Sequence, residues 1–192
     1  MNEIIDVLSG RKEEESMTYY MAIDPGNQKS GVACLSYEGE LVDKRILPTG
    51  ELVAYIENVV ASTSLPRNRE QFDGAVTPLF DQTSPIHIDR IVCGNGTNHK
   101  YVYGELQTLS STYHIDVVLC DEAYTTEEAK RLYWKYHRPR GWQRFLPKGM
   151  RVPPEPVDDF TAWVIGLRYV TARQKNSKTK VPHGSYESTM GK

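Results

Sequence analysis

The sequence predicts an α/β protein: a mixed five-stranded sheet, three antiparallel strands followed by two parallel ones, flanked by helices. Three observations predict it. Short apolar runs separated by polar turns occupy the stretch from Tyr19 to Leu47. Helix-spaced apolar residues then alternate with two further strand-like runs, Ile88 to Cys93 and Ile115 to Cys120. The joins between those later runs are long crossovers, which make the strands parallel.

Tyr19 to Ile23 reads as the first strand, closed by an Asp24-Pro25-Gly26 turn. Gly31 to Ser36 returns as its hairpin partner, and Leu41 to Leu47 follows a turn at Glu38-Gly39-Glu40. Glu51 to Ala61 places Leu52, Ile56, Val59 and Val60 at helical spacing. Residues 64–85, rich in Ser, Pro and Asn, have no period and read as a surface insertion. Ile88 to Cys93 is the fourth strand and runs into Gly94-Asn95-Gly96-Thr97-Asn98. Tyr101 to Thr112 reads as a helix. Ile115 to Cys120 is nearly all apolar, which predicts a strand buried on both faces. Thr125 with Glu128 matches a capping box for a helix reaching about His137. A Pro/Gly/Arg-rich loop spans 137–156, and Val157 to Arg173 closes the domain as a helix. The expected organisation is a flexible leader over 1–17, one domain over 18–173, and a disordered basic tail over 174–192.

Composition narrows the class. The chain has 192 residues, 39% hydrophobic and 25% charged, the balance of a soluble globular protein. No apolar run has the length of a membrane span, and no signal-peptide core precedes the first strand. A cytoplasmic protein is the expectation. Cys34, Cys93 and Cys120 sit in strand-like runs without metal-ligand spacing, so reduced core cysteines are expected.

The net charge of −2 does not advertise a polyanion partner, but its distribution does. From Ala129 to Pro154 there is no acid, while Lys130, Arg131, Lys135, Arg138, Arg140, Arg144, Lys148 and Arg151 are all basic. Within the loop, Arg138, Arg140, Arg144, Lys148 and Arg151 alternate with Trp142 and Phe145. That is a composition for gripping a nucleic-acid backbone while bases stack on rings. A solvated linker whose aromatics pack onto the core has the same composition. Tyr124, Tyr133, Trp134 and Tyr136 read as ordinary packing.

Carboxylates fall at three element ends: Asp24, Asp121-Glu122 and Asp158-Asp159. Ligands of such sheets bind beyond the carboxyl ends of strands. Taken singly, Asp24 could form a turn, Glu122 could be a surface acid, and Asp158 could cap a helix. Together they suit a divalent ion held against a phosphate, and hard oxygen donors suit magnesium or manganese. Neighbours on a strand face opposite ways, so Asp121 and Glu122 are not both ligands. Asp159 lies about 100° round the helix from Asp158 and is either a further ligand or a solvated first-turn acid. Asn95 and Thr97, with the backbone N–H groups around them, could cradle a phosphate. An ordinary Asn-Gly turn explains them equally well.

The residues Ile23-Asp24-Pro25-Gly26 with Gly31-Val32-Ala33, then Asp121 to Thr126, then Val157 to Ile165, resemble the YqgF/RuvX family of the ribonuclease H-like superfamily. The order and spacing fit from about Tyr19 to Val170. The resemblance implies a ribonuclease H-like fold and a metal-dependent nuclease, described in that family as a Holliday-junction resolvase or a nuclease trimming precursor ribosomal RNA. By the match, Asp24, Glu122 and Asp158 are the catalytic acids and metal ligands. The expected partner is RNA or branched DNA, and the protein a monomer or homodimer. Where the family has Asp-Glu-Arg, this chain has Asp121-Glu122-Ala123. Its Gly94-Asn95-Gly96-Thr97 turn is closer to the related domain of larger RNA-binding transcription factors.

Two other functions share these features. One is a binding module of the same fold that positions RNA without cutting it. The other is an actin-like phosphotransferase, whose chains also open with an Asp-x-Gly hairpin. That class needs two such lobes, and this chain has one and no Walker-type phosphate loop.

Overall fold

A computed structural model of the chain describes residues 17–64 and 86–179. The expected leader up to residue 16, the insertion from 65 to 85 and the tail from 180 lie outside the described residues. Five strands, β1 (Met17–Asp24), β2 (Lys29–Ser36), β3 (Leu41–Pro48), β4 (Ile86–Gly94) and β5 (Asp116–Cys120), form one sheet in the order β3-β2-β1-β4-β5. β2 is antiparallel to β1 and to β3; β4 is parallel to β1 and to β5. This is the mixed five-stranded α/β sheet that the sequence predicts, three antiparallel strands followed by two parallel ones. Four helices complete it: α1 (Thr49–Ser64), α2 (His99–Tyr113), α3 (Thr125–Tyr136) and α4 (Asp158–Thr179).

Strand alternation divides the core into two layers. Met21 and Ile23 of β1 face one side with Val32, Cys34, Ile88, Ile91 and Cys93, and meet Leu52, Ile56, Val102 and Leu106 of α1 and α2. Ala22, Ala33, Leu35 and Val92 face the other side and meet Ala129, Tyr133, Phe160 and Ile165 of α3 and α4. Burial of these large apolar side chains is the main drive to the fold, at about 1.5–3 kcal/mol each.

Four expectations change. β5 is not buried on both faces. It is the outermost strand among the described residues and each face is covered only in part: Val117 is buried but Leu119 on the same face is half exposed, and Val118 and Cys120 on the other are partly buried. The capping box at Thr125 does not form. Tyr124 is the N-cap in a left-handed conformation with φ 63°, and the Thr125 hydroxyl donates instead to the Glu122 carbonyl at 2.8 Å. Glu128 turns to Arg168 on α4. α4 runs six residues past Arg173 into the expected tail, anchored where Arg173 bonds the Tyr20 hydroxyl and Asp89. The loop over 137–156 is not irregular throughout: it contains two short 3-10 turns, Gly141–Phe145 and Lys148–Met150. Cys34 and Cys93 are buried, Cys120 is partly covered, and all three are free thiols. Among the described residues no helix is long and apolar enough to cross a membrane.

Candidate active site

Register brings the acids together. Ile23 pairs with Cys93 and Gly94 with Cys120, so the carboxyl ends of β1, β4 and β5 lie side by side. Asp24 ends β1, and Glu122 stands two residues beyond β5. Asp158 arrives from a helix. Asp24 pairs with Gly31 across β1 and β2, and the backbone of Asp158 presses on Gly31 so closely that a Cβ there would collide with its carbonyl. Glycine at position 31 is what lets the start of α4 approach the strand that carries Asp24.

The β1–β2 turn is held from below. The buried Ser30 hydroxyl lies 2.9 Å from the Thr49 hydroxyl, which donates to the Gly26 carbonyl at 3.0 Å. The Asn98 side-chain amide donates to the same carbonyl at 3.0 Å. One turn is thereby tied both to the head of α1 and to the turn that follows β4.

Glu122 sits on a glycine cradle. A Cβ at Gly94 would collide with Glu122 Oε1, and one at Gly96 with Oε2. The Gly96 N–H donates to the carboxylate, while Oε1 is buried with no hydrogen-bond partner among the described residues. A buried, unpaired acceptor of this kind costs about 1–3 kcal/mol.

The electrostatics point the same way. Burial first, then the charges of Glu122 and Asp158, push the Asp24 carboxyl from 3.8 up to about 7, against a hydrogen bond from Thr161. Burial also raises Glu122, with the Gly96 N–H and His99 pulling it down. Burial and the adjacent Asp159 raise Asp158, while Lys29 lowers it. Cys93 is raised to about 12 by burial and by Glu122 and Asp24. A buried carboxyl whose charge two neighbouring carboxylates disfavour, as Glu122 and Asp158 do at Asp24, is the arrangement a cation relieves. Their hard oxygens and the orphaned Oε1 fit magnesium or manganese. The site is open: among the described residues no three His, Cys, Asp or Glu side chains are gathered closely enough to hold an ion as they stand.

The neighbouring acids are otherwise engaged. Asp159 pairs with Lys44 and accepts the Phe160 N–H at 2.9 Å. Asp121 is exposed and accepts the Ala123 N–H at 3.1 Å. Asn95 Oδ1 accepts the Glu122 N–H at 3.0 Å, so this side chain faces the site's own backbone; Thr97 is exposed.

The basic loop presents its aromatics outward. Trp142 is 70% exposed and Phe145 77%, with Arg144 over the Phe145 ring at 4.7 Å. Arg138, Arg140 and Arg144 are exposed. Arg151 is turned inward, donating to the Leu146 and Arg144 carbonyls at 3.0 and 3.4 Å; the Lys148 side chain lies outside the described residues. The packing alternative for Trp142 and Phe145 therefore does not hold. Tyr133 does pack, stacked on His137 at 4.2 Å, and Tyr136 meets Trp163 while staying half exposed. Tyr124, expected to pack, is 82% exposed.

Sequence reasoning missed Thr161, Lys29, His99 and Arg168. Only Thr161 had a signal, its i+3 spacing from Asp158 on one helix face.

Fold and site together define a mixed α/β protein with three carboxylates near one edge of its sheet: Asp24 at the end of β1, Glu122 just past β5, and Asp158 at the start of α4. No protein-family model and no curated protein matches the chain. Among solved structures, it is similar to Thermus thermophilus RuvC in complex with a Holliday junction substrate, at 13% identity and a TM-score of 0.46, over 82% of this chain and 96% of that one. A second structure of Thermus thermophilus RuvC gives 14% identity and a TM-score of 0.43 over the same shares.

Proposed function

We propose that this chain is a divalent-cation-dependent nuclease that hydrolyses phosphodiester bonds in structured nucleic acid, either precursor ribosomal RNA or a branched DNA junction, as the YqgF/RuvX resemblance implies. One observation carries the reading: Asp24 is held at about 7 by burial and by the charges of Glu122 and Asp158, carboxylates that come from separate elements. A fold gains nothing in stability from gathering repelling acids, so the arrangement is explained by what it binds.

Asp24, Glu122 and Asp158 would hold the cation. Once bound it supplies Lewis acidity toward a phosphate oxygen and toward an attacking water. The chain's own residues set the geometry. Thr161 hydrogen-bonds Asp24, and Gly94 and Gly96 seat the Glu122 carboxylate. Arg138, Arg140 and Arg144, all exposed, would neutralise phosphates, and the exposed Trp142 and Phe145 would stack on unpaired bases. In the overall step a P–O bond forms to water and the P–O3′ bond breaks, leaving a 5′ phosphate and a 3′ hydroxyl.

The test is incubation with magnesium and a panel of single-stranded RNA, duplex RNA and a four-way DNA junction, with Asp24→Asn alongside. Cleavage by the wild type that the variant lacks is the expected result. Cleavage equal in both would remove the mechanism. The open geometry of the acids favours one rival, the binding module of the same fold. That reading expects binding without cleavage and no carboxylate-dependent affinity for magnesium.

A further inference from the structure

We infer that Arg168 and Asn95 are positioning residues for Glu122, acting as a two-sided clamp on the peptide unit that precedes it. The inference rests on the proposed role of Glu122 and goes beyond it, because neither residue belongs to the acidic set.

The peptide bond between Asp121 and Glu122 carries one carbonyl and one N–H. Arg168 Nη1, from α4, donates to the Asp121 carbonyl at 3.1 Å. Asn95 Oδ1, from the turn after β4, accepts the Glu122 N–H at 3.0 Å. A single peptide plane is thus held from both edges by side chains of two other elements. A peptide plane is rigid, and its rotation swings the Cα–Cβ vector of the residue that follows. Fixing it aims the Glu122 side chain onto the Gly94 and Gly96 cradle, where Oε1 has no partner among the described residues to hold it.

Arg168 is itself held. Its Nε and Nη2 form a fork on Glu128, at 3.3 Å to Oε2 and 2.8 Å to Oε1. The clamp itself uses only Nη1, which a lysine ammonium does not reproduce, and in Glu128→Gln the amide oxygen still accepts from one of the other two nitrogens. Arg168 also lies on the helix that begins with Asp158, ten residues or about 15 Å along. The clamp therefore sets the Glu122 loop relative to the element that carries another acid. A purely structural role for Arg168, as an ion-pair partner of Glu128 tying α3 to α4, makes a different prediction for each partner.

The experiment compares full-length Arg168→Ala, Arg168→Lys, Asn95→Ala and Glu128→Gln by three readouts. The first is hydrogen exchange of the Glu122 amide. Protection should fall about tenfold or more in Asn95→Ala and measurably in Arg168→Ala, and stay near wild type in Glu128→Gln. The second is magnesium-dependent cleavage: Arg168→Ala should lose about tenfold in kcat with KM little changed, Arg168→Lys should recover part of it, and Glu128→Gln should stay within twofold. The third is Tm, expected to drop by similar amounts in Arg168→Ala and Glu128→Gln. Activity falling equally in those two variants would assign Arg168 to packing alone and overturn the clamp. So would unchanged Glu122 protection in Arg168→Ala and Asn95→Ala. If wild type and Asp24→Asn are equally inactive, the nuclease reading fails, and amide exchange alone decides the clamp.

Discussion

The two ends of the sheet differ in how they treat charge. At the end where β1 begins, opposite charges are matched. Arg173 pairs with Asp89 and lies over the Tyr20 and Tyr37 rings, and Arg90 pairs with Asp116 and donates to the Tyr169 hydroxyl at 2.6 Å. At the end where β1 finishes, Asp24, Glu122 and Asp158 share one sign and each carboxyl is raised by burial. The same strands and the same helix α4 build both ends, so the contrast comes from residue choice. The matched end contributes stability; the unmatched end stores electrostatic repulsion that a bound cation would relieve.

The sharpest test of that contrast is Asp24→Asn. Losing a group that would hold the cation removes several kcal/mol of transition-state stabilisation, so cleavage should fall by about 10³-fold or more. Stability should move the other way. Asp24 binds its proton more tightly when folded, at about 7, than in the unfolded chain near 3.8. Its contribution is therefore fully present below about pH 4 and is lost as pH rises through about 7. Glu122 and Asp158 are raised too and act with the same sign. In chelator, wild-type Tm should decline from pH 5 to pH 8, and Asp24→Asn should decline less and melt higher at pH 8. Added magnesium should restore wild-type Tm at pH 8 and do little for the variant. A wild-type Tm that rises over this range would show that the unmatched end is not strained.

Gly94→Ala probes the cradle without touching a charge. The new Cβ would overlap Glu122 Oε1, and Gly94 is buried at the end of β4, so the carboxylate must move. Overpacking of this kind costs about 1–3 kcal/mol of stability. A displacement near 1 Å at a reacting centre lowers the rate by about 10²-fold. Cleavage and thermal melting measured on one preparation separate the two effects. Retention of full activity would mean that the seat of Glu122 does not matter.

Much of this was legible before any coordinates. Turn chemistry is local, so Asp24-Pro25-Gly26 declared a carboxylate at a strand end, and hairpin and crossover lengths declared the strand directions. What failed depended on neighbours distant in the chain. The apolar run at β5 looks like a central strand, but nothing in Val117 to Cys120 says that it is the outermost strand of the described sheet. Thr125 and Glu128 have capping-box spacing, yet Arg168, forty residues on, captures Glu128. The left-handed Tyr124 had no signal at all, since Tyr is an unfavourable choice for positive φ. Residue types reveal which groups a site contains; the hydrogen bonds that aim them come from elsewhere in the sequence.

A smaller effect is expected from Trp142→Ala in the basic loop. The ring is 70% exposed, so its removal leaves no cavity and should leave Tm near wild type. A base stacked on an aromatic ring contributes about 1–3 kcal/mol, so affinity for single-stranded or branched nucleic acid should weaken by about ten- to a hundredfold. The loss should appear in KM with little change in kcat. Fluorescence anisotropy with a labelled junction checks the binding term directly, and unchanged affinity would return the loop to the status of a solvated connector.

The smallest effect belongs to the matched end. Arg173→Ala removes a partly exposed ion pair with Asp89 at 3.2 Å, a hydrogen bond to Tyr20, and guanidinium contact with two tyrosine rings at 5.4 Å. Exposed pairs and cation–π contacts are each worth about 0.5–1 kcal/mol, so Tm should fall by a few degrees. Cleavage by the folded protein should be unchanged, because Arg173 lies fifteen residues along α4 from Asp158, about 22 Å of helix. The pairing of this control with Asp24→Asn is what tests the division of labour: one substitution lowers stability and spares catalysis, the other raises stability and removes catalysis. A loss of cleavage in Arg173→Ala at temperatures where it remains folded would mean that the two ends are coupled through α4, and the separation drawn from their charges would not stand.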